Sequence, residues 1–125
     1  MTIAEVGEKY GLSTDTLRYY ERIGLIAPVP RTKSGIRNYG EIDCLAVDFI
    51  KRMRGAGVAI EALVEYISLF QKGDSTREAR KDILREQREL LITRIAEMQE
   101  TLDNLNFKIK NYDTLVWDVE KKISD

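Results

Sequence analysis

The sequence contains no histidine and a single cysteine, Cys44. One thiol cannot form a disulfide within the chain, and without histidine the chain cannot supply a thiolate-rich zinc site or a Ser-His-Asp or Cys-His triad. A glycine-rich phosphate loop is missing as well. We therefore expect neither an enzyme nor a metal site, and no cofactor.

Long apolar runs are also missing, including at the N-terminus, where a signal peptide would lie. This predicts a cytoplasmic protein without membrane contact. The net charge neither favours nor excludes a polyanionic partner, because the sequence has 20 basic and 21 acidic residues. Residues 18–37, however, hold five basic side chains against Glu21 alone, so a basic patch is available to a polyanion.

The N-terminal residues have the spacing of two short helices joined by a tight turn. Thr2 and Glu5 fit a capping box for a helix over residues 3–10. Ser13 can cap a second helix that begins at Thr14, and the glycine between the helices can end the first. This spacing is typical of a DNA-binding helix-turn-helix, whose second helix enters the major groove.

The second predicted helix has one apolar and one polar face. Leu17, together with Tyr20 or Ile23, can face the core. Two hydroxyls and a guanidinium then point outward, and both groups suit base edges and phosphates. They belong to Thr14, Thr16 and Arg18. An ordinary polar helix face is the alternative interpretation.

Residues 28–39 predict a small β-hairpin, here called the wing. Pro28 and Pro30 break the preceding helix, and the pair Ser34-Gly35 supplies a turn before a strand-like alternation over residues 36–39. Basic side chains on such a wing can hold the DNA backbone beside the groove. An ordinary surface hairpin is the alternative.

One run, Leu-Arg-Tyr-Tyr-Glu at residues 17–21, is far more specific than the helix spacing. Together with Gly-Leu-Ile at residues 24–26, the wing pattern and the segment 50–57, it strongly resembles the MerR family of bacterial transcription regulators. The resemblance implies that Arg18 and Tyr20 hold phosphates and that the wing contacts DNA through Arg37 and Tyr39. The complete predicted contact set is Thr14, Thr16, Arg18, Tyr19, Tyr20, Arg31, Lys33, Ser34, Gly35, Arg37 and Tyr39.

Two positions depart from what their elements favour. Gly7 lies where a helix favours alanine, and Gly40 replaces the hydroxyl residue that often caps the third helix.

Three more helices are predicted after the wing. The first covers residues 41–56 and is expected to bury Ile42, Leu45, Phe49, Ile50 and Met53. The next covers about residues 60–71, and Ser75 with Glu78 predicts the start of a long helix.

The long helix carries a heptad repeat. From Leu91 the apolar residues recur in alternating steps of four and three, which is the pattern of a coiled coil. The predicted dimerisation positions are Leu91, Ile95, Met98, Leu102, Leu105, Ile109 and Tyr112, and Val116, Val119 and Ile123 extend the same pattern. Beyond Asn111 the helix either continues, or Asp113 caps a short terminal helix that folds back.

These patterns predict a mostly α fold. A winged helix-turn-helix domain with a second helix pair (residues 1–73) precedes a coiled-coil dimerisation helix and tail (residues 74–125). The resemblance implies an antiparallel homodimer on a pseudo-palindromic promoter, which bends and untwists the DNA so that RNA polymerase can engage it, most often as an activator. The alternatives are an excisionase-like DNA-bending protein and a coiled-coil adaptor without nucleic acid.

The inducing signal is less well specified. Metal-sensing members carry paired cysteines near the end of the coil, and none follows Cys44. Drug-binding members often carry a large C-terminal domain, and this sequence ends at Asp125, so no large appended pocket is expected.

Residues 60–63 and 66 resemble the subgroup that responds to aldehydes and other electrophiles, but the position of its sensing cysteine is Arg52 here. Cys44 is the remaining candidate for a small-molecule or electrophile effector, and a simply buried cysteine is the alternative. Aromatic residues at helical spacing could line an apolar effector site or pack in the core. They are Tyr66, Phe70, Tyr112 and Trp117.

Overall fold

The computed structural model describes residues 1–124 and consists mostly of helices. They are α1 (Ile3–Tyr10), α2 (Thr14–Ile23), α3 (Glu41–Gly55), α4 (Ile60–Gln71), α5 (Arg77–Lys110) and α6 (Trp117–Ser124). Extended backbone pairs within the described residues at one antiparallel bridge, between Arg31 and Arg37. The predicted mostly α fold is confirmed.

Packing divides the chain into two compact units. The first is Met1–Arg88, and the second begins at Glu89, within α5. The predicted boundary at residues 73 and 74 marks the turn before α5, and the first turns of α5 belong to the first unit, where the Arg80 guanidinium lies over the Phe70 ring. The predicted second domain ends at Asp125, which lies outside the described residues.

The helix caps of the helix-turn-helix are those that the sequence predicts. The Thr2 hydroxyl accepts the Glu5 N–H at 3.2 Å, and the Glu5 carboxylate accepts the Thr2 N–H at 2.9 Å. Ser13 Oγ accepts the Thr16 N–H at 3.0 Å, which caps α2. Gly11 ends α1 with φ 66°, a left-handed conformation that glycine adopts without strain.

Gly7 is required by a close approach that the sequence does not show. The turn after α1 folds back so tightly that a Cβ on Gly7 would lie 2.6 Å from the carbonyl oxygen of Leu12. The Leu12 N–H also donates to the Gly7 carbonyl at 2.9 Å. Gly7 therefore lets the turn pack directly on α1, and the expectation that this position favours alanine is wrong.

The core of the first unit is a single apolar cluster contributed by α1 to α4 and the wing. Its buried members are Val6, Leu17, Tyr20, Leu25, Ile26, Val29, Tyr39, Cys44, Val47, Ile50, Val58 and Leu63. Gly40 compensates for its missing side chain because its N–H donates to the Asp43 carboxylate at 2.8 Å.

The buried face of α3 matches the prediction only in part. Ile50 is buried as predicted, together with Cys44 and Val47, whereas Ile42 is 78% and Leu45 63% exposed. The apolar residues of α3 extend around more of the helix than the rest of the unit covers, so periodicity alone did not identify the buried side. Phe49 and Met53 are partly buried against the core as expected.

The long helix begins later and ends earlier than its sequence pattern. A 3₁₀ turn over Asp74–Thr76 precedes it, in which the Thr76 hydroxyl donates to the Leu69 and Gly73 carbonyls, both at 2.7 Å. α5 therefore starts at Arg77 rather than at Ser75. At the other end the backbone leaves helical geometry at Asn111, and a π-helical turn over Tyr112–Val116 leads into α6.

The heptad register therefore stops with α5. Tyr112, Val116, Val119 and Ile123 lie outside that helix, so the first of the two alternatives for the chain beyond Asn111, an unbroken helix, does not hold. A short terminal helix is present, but it begins at Trp117 and is not capped by Asp113. The Glu120 carboxylate accepts the Tyr112 hydroxyl at 2.9 Å and pairs with Lys108 Nζ at 2.8 Å, which holds α6 to the end of α5.

We expect Gly7→Ala to destabilise the protein by about 1–3 kcal/mol, because the added methyl group must displace a backbone carbonyl. Gly55→Ala is the matched control, since nothing lies within 4 Å of a Cβ at that helical position. The control should be neutral or stabilising by up to about 1 kcal/mol. Urea unfolding followed by circular dichroism measures both, and equal effects would contradict the packing described for Gly7.

Candidate nucleic-acid interface

The outer face of α2 presents the side chains of Arg18 and Tyr19. Both are exposed, and the Arg18 guanidinium donates to the Asp15 carboxylate at 3.1 Å and, more weakly, to the Thr14 hydroxyl at 3.4 Å. The Thr16 hydroxyl shares a hydrogen bond of 2.8 Å with Ser13 Oγ. Thr14, Thr16 and Arg18 thus already have hydrogen-bond partners within the chain.

The wing is an exposed hairpin closed by three backbone hydrogen bonds. Thr32 N–H donates to Ile36 O at 2.8 Å, Gly35 N–H to Thr32 O at 2.9 Å, and Asn38 N–H to Pro30 O at 2.7 Å. Gly35 has φ 85°, which explains the glycine at the tip. The predicted wing residues at the surface are Arg31, Lys33, Ser34 and Gly35.

The rings of two predicted DNA contacts, Tyr20 and Tyr39, lie in the core. Tyr39 is 1% and Tyr20 8% exposed, and burial raises the pKa of both phenols. The Tyr39 backbone N–H donates to Met1 O at 2.7 Å, and its hydroxyl has no hydrogen-bond partner among the described residues. The structure therefore argues against Tyr39 as a DNA contact, because its ring packs in the apolar core cluster and its hydroxyl is buried there.

Arg37 is also less available than the resemblance implied. Its Nε donates to Glu21 Oε1 at 2.7 Å, and both side chains are largely buried. The second carboxylate oxygen of Glu21 accepts the Val29 N–H at 2.9 Å. Sequence reasoning did not assign Glu21 a role, although it is the single acid among the basic residues 18–37.

Electrostatics keep the Glu21 carboxylate ionised. Burial raises its pKa, but the hydrogen bonds from Arg37 and Val29, with the charges of Arg37 and Arg31, lower the pKa more, and the net shift is downward. A carboxylate beside two guanidiniums also reduces the positive charge that the interface presents.

The candidate effector residues lie in different places. Cys44 is buried, and its Sγ lies 3.9 Å from the Met1 sulfur. Arg52 pairs with Asp48 at 3.0 Å. Tyr66 and Phe70 line an apolar groove of about 290 Å³ together with Ile42, Leu45 and Phe49.

Tyr112 and Trp117, in the second unit, pack against each other with ring centroids 6.4 Å apart. Their pairing is local to the turn after α5. Trp117 is still half-exposed there.

Six of the seven predicted dimerisation positions form a largely exposed stripe along α5, and the seventh, Tyr112, follows that helix. Met98 is 69% and Ile109 73% exposed. Ile95, Leu102, Leu105 and Tyr112 are exposed too, and Leu91 is partly buried. Leaving so many large apolar side chains in water is unfavourable, at roughly 25 cal/mol per Å².

Residues 1–124 contain no group of three or more potential metal ligands. None of the described helices is both long and apolar enough to cross a membrane.

Comparison with known families gives two overlapping matches. Residues 1–69 match the model of the MerR helix-turn-helix family of regulatory proteins, and residues 46–106 match a second model described as MerR, DNA binding. The resemblance predicted from residues 17–21 is thereby confirmed.

Individual relatives agree with the family models. The transcriptional regulator AdhR of Bacillus subtilis is 58% identical over 92 residues, which cover 74% of this chain and 66% of AdhR. A crystal structure of a MerR family transcriptional regulator from Listeria monocytogenes superimposes with a TM-score of 0.89 at 49% identity, covering 100% of this chain and 95% of that one. HiNmlR, a MerR family regulator lacking the sensor domain and crystallised on promoter DNA, gives a TM-score of 0.82 at 28% identity, with 90% and 89% covered.

Tyr39→Phe tests whether the Tyr39 hydroxyl contacts DNA. Removing a buried hydroxyl without a partner should leave stability unchanged or raise it by about 1 kcal/mol, and should leave DNA affinity unchanged. Arg18→Ala, at an exposed position, should weaken binding and lower the slope of log K against log salt by about 1. Mobility shifts at several salt concentrations provide the measurement, and a loss with Tyr39→Phe as large as that with Arg18→Ala would restore Tyr39 to the contact set.

Proposed function

The chain belongs to the MerR family of helix-turn-helix regulatory proteins, and on that basis we propose that it binds promoter DNA as a homodimer and regulates transcription. Membership assigns it to DNA-binding transcription regulators rather than to enzymes, as the sequence predicts. The relatives favour neither an excisionase-like protein nor a coiled-coil adaptor.

The observation that carries the proposal is the exposed polar and basic surface formed by α2 and the wing. Arg18 and Tyr19 on α2, with Arg31 and Lys33 on the wing, lie at the surface of one compact unit. A helix of this kind enters the major groove, and basic wing residues suit the phosphates beside it. HiNmlR, whose fold this chain shares, was crystallised with promoter DNA.

The apolar stripe of α5 supports the homodimer. Its residues recur in alternating steps of four and three from Leu91 to Ile109 and are largely exposed in the single chain. A second copy presenting the same stripe would cover them and give each dimer two DNA-reading units. The family implies that the two coils run antiparallel, so that a pseudo-palindromic site is read.

We propose that transcription is activated through deformation of the DNA. Family members bend and untwist the spacer between promoter elements so that RNA polymerase can engage both. Bending a DNA site of about 20–30 base pairs by about 40–90° costs on the order of 1–6 kcal/mol. A change in the geometry of the dimer can therefore switch the promoter while the protein stays bound. Such a regulator acts in the cytoplasm.

A small-molecule or electrophilic effector would bias that geometry. The burial of Cys44 means that an electrophile reaches its thiol only after local opening of the first unit. The groove beside Phe49 and Tyr66 offers apolar surface to a small ligand instead. Comparing reporter induction by an electrophile in the parent and in Cys44→Ser distinguishes the two routes.

Leu102→Asp tests the dimer. An uncompensated charge on each side of the seam should cost about 3–5 kcal/mol, so we expect the dimer dissociation constant to rise by at least about 100-fold. Asn104→Asp adds the same charge at an exposed position off the stripe and should leave association unchanged. Sedimentation velocity measures both, and a Leu102→Asp chain that still dimerises would place the interface elsewhere.

The deformation itself can be observed on DNA from immediately upstream of the protein's own gene. Chemical probing should show two protected half-sites flanking central base pairs that become hyper-reactive because they are unstacked. The proposal of activation by untwisting fails if the bound dimer leaves those central pairs unreactive under every inducing condition. A protected region without half-site symmetry would instead argue against a dimeric reader.

A further inference from the structure

Glu21 occupies a position from which it contacts both sides of the wing. It lies near the end of α2, with its side chain 13% exposed. Its Oε2 accepts the N–H of Val29, at the start of the wing, at 2.9 Å. Its Oε1 accepts Nε of Arg37, on the returning side of the wing, at 2.7 Å.

Buried Val29 and Tyr39, together with hydrogen bonds between Met1 and residues 38 and 39, hold the base of the wing but do not reach its exposed part. Its two sides pair with each other at one bridge, Arg31 with Arg37, and residues 31–36 are exposed. Backbone bonds within the wing determine its own shape but not its position beside α2. At its C-terminal end, Tyr39 anchors the wing in the core.

The geometry points to Glu21 as a positioning residue, which sets the wing relative to α2 so that both can engage one stretch of DNA. It acts through Arg37 and Val29 and does not itself touch nucleic acid. Arg37, whose Nε is used in this contact, is then part of the support of the wing. The inference rests on the proposed DNA-binding function and adds which residue aligns its two contact surfaces.

Glu21→Gln is the informative variant because it keeps the size of the side chain and removes its charge. In the free, full-length protein, hydrogen exchange of the wing amides, residues 29–38, should accelerate by about tenfold, while the amides of α1 and α2 keep their protection. Asp48→Asn is the matched control, since it breaks an Arg52 ion pair of 3.0 Å on α3. The control should leave wing exchange unchanged.

On DNA from upstream of the gene, hydroxyl-radical footprints of Glu21→Gln should lose protection at the flanks contacted by the wing and keep it where α2 binds. Arg37→Gln should give the same pattern. Combining the two changes should add little, because each removes the same Glu21–Arg37 contact. Arg37→Gln keeps the Val29 hydrogen bond and therefore serves if Glu21→Gln fails to fold.

Two results would overturn the inference: wing exchange equal to that of the parent protein, or a uniform loss of protection across the whole footprint. A parent protein that leaves no footprint would overturn the proposed DNA binding. The exchange experiment, which uses no DNA, would still decide whether Glu21 holds the wing.

Discussion

The contact between Gly7 and the carbonyl of Leu12 is the constraint from which the arrangement of the first unit follows. Because α1 carries no side chain at that point, the turn lies directly against it. α2 therefore leaves the turn with Leu17 buried, its Cδ1 3.7 Å from where a Gly7 Cβ would lie. Once Leu17 faces inward, the helical period directs Arg18 and Tyr19 to the surface. A backbone contact thus determines which residues are presented outward.

The local features were predictable because local interactions determine them. The capping box at Thr2 and Glu5, the Ser13 cap and the bounds of α4 follow from short-range hydrogen bonds and spacing, and the structure has them as expected. The wing and the long helix are also present, although the long helix begins and ends at other residues than predicted.

The other errors concern interactions between distant residues. Periodicity showed that α3 is amphipathic, but the exposure of Ile42 and Leu45 depends on which neighbours reach it. Tyr39 could be read as a phosphate contact or a core residue from its chemistry, and only its surroundings decide. Glu21 was visible as the lone acid in a basic segment. Its partners at residues 29 and 37 required the folded chain.

The arginines of the candidate interface differ in how readily they can be offered to DNA. Arg18 pairs with Asp15, whose side chain is 94% exposed, and a surface pair of this kind contributes at most about 1 kcal/mol. A phosphate can replace such a partner at little cost. Arg37 is paired with a carboxylate that is itself largely buried, so withdrawing it would leave an uncompensated charge. The two arginines therefore differ in what it costs to separate each from its carboxylate partner.

The uncovered stripe on α5 has a consequence for how the protein responds to its own abundance. If the stripe is buried only when two chains associate, the protein is mainly monomeric at low concentration. The concentration of dimer then rises with the square of the monomer concentration. Occupancy of a site that only the dimer can read would then change more steeply than synthesis does. The promoter would then change from mostly unoccupied to mostly occupied over a narrow range of protein concentration.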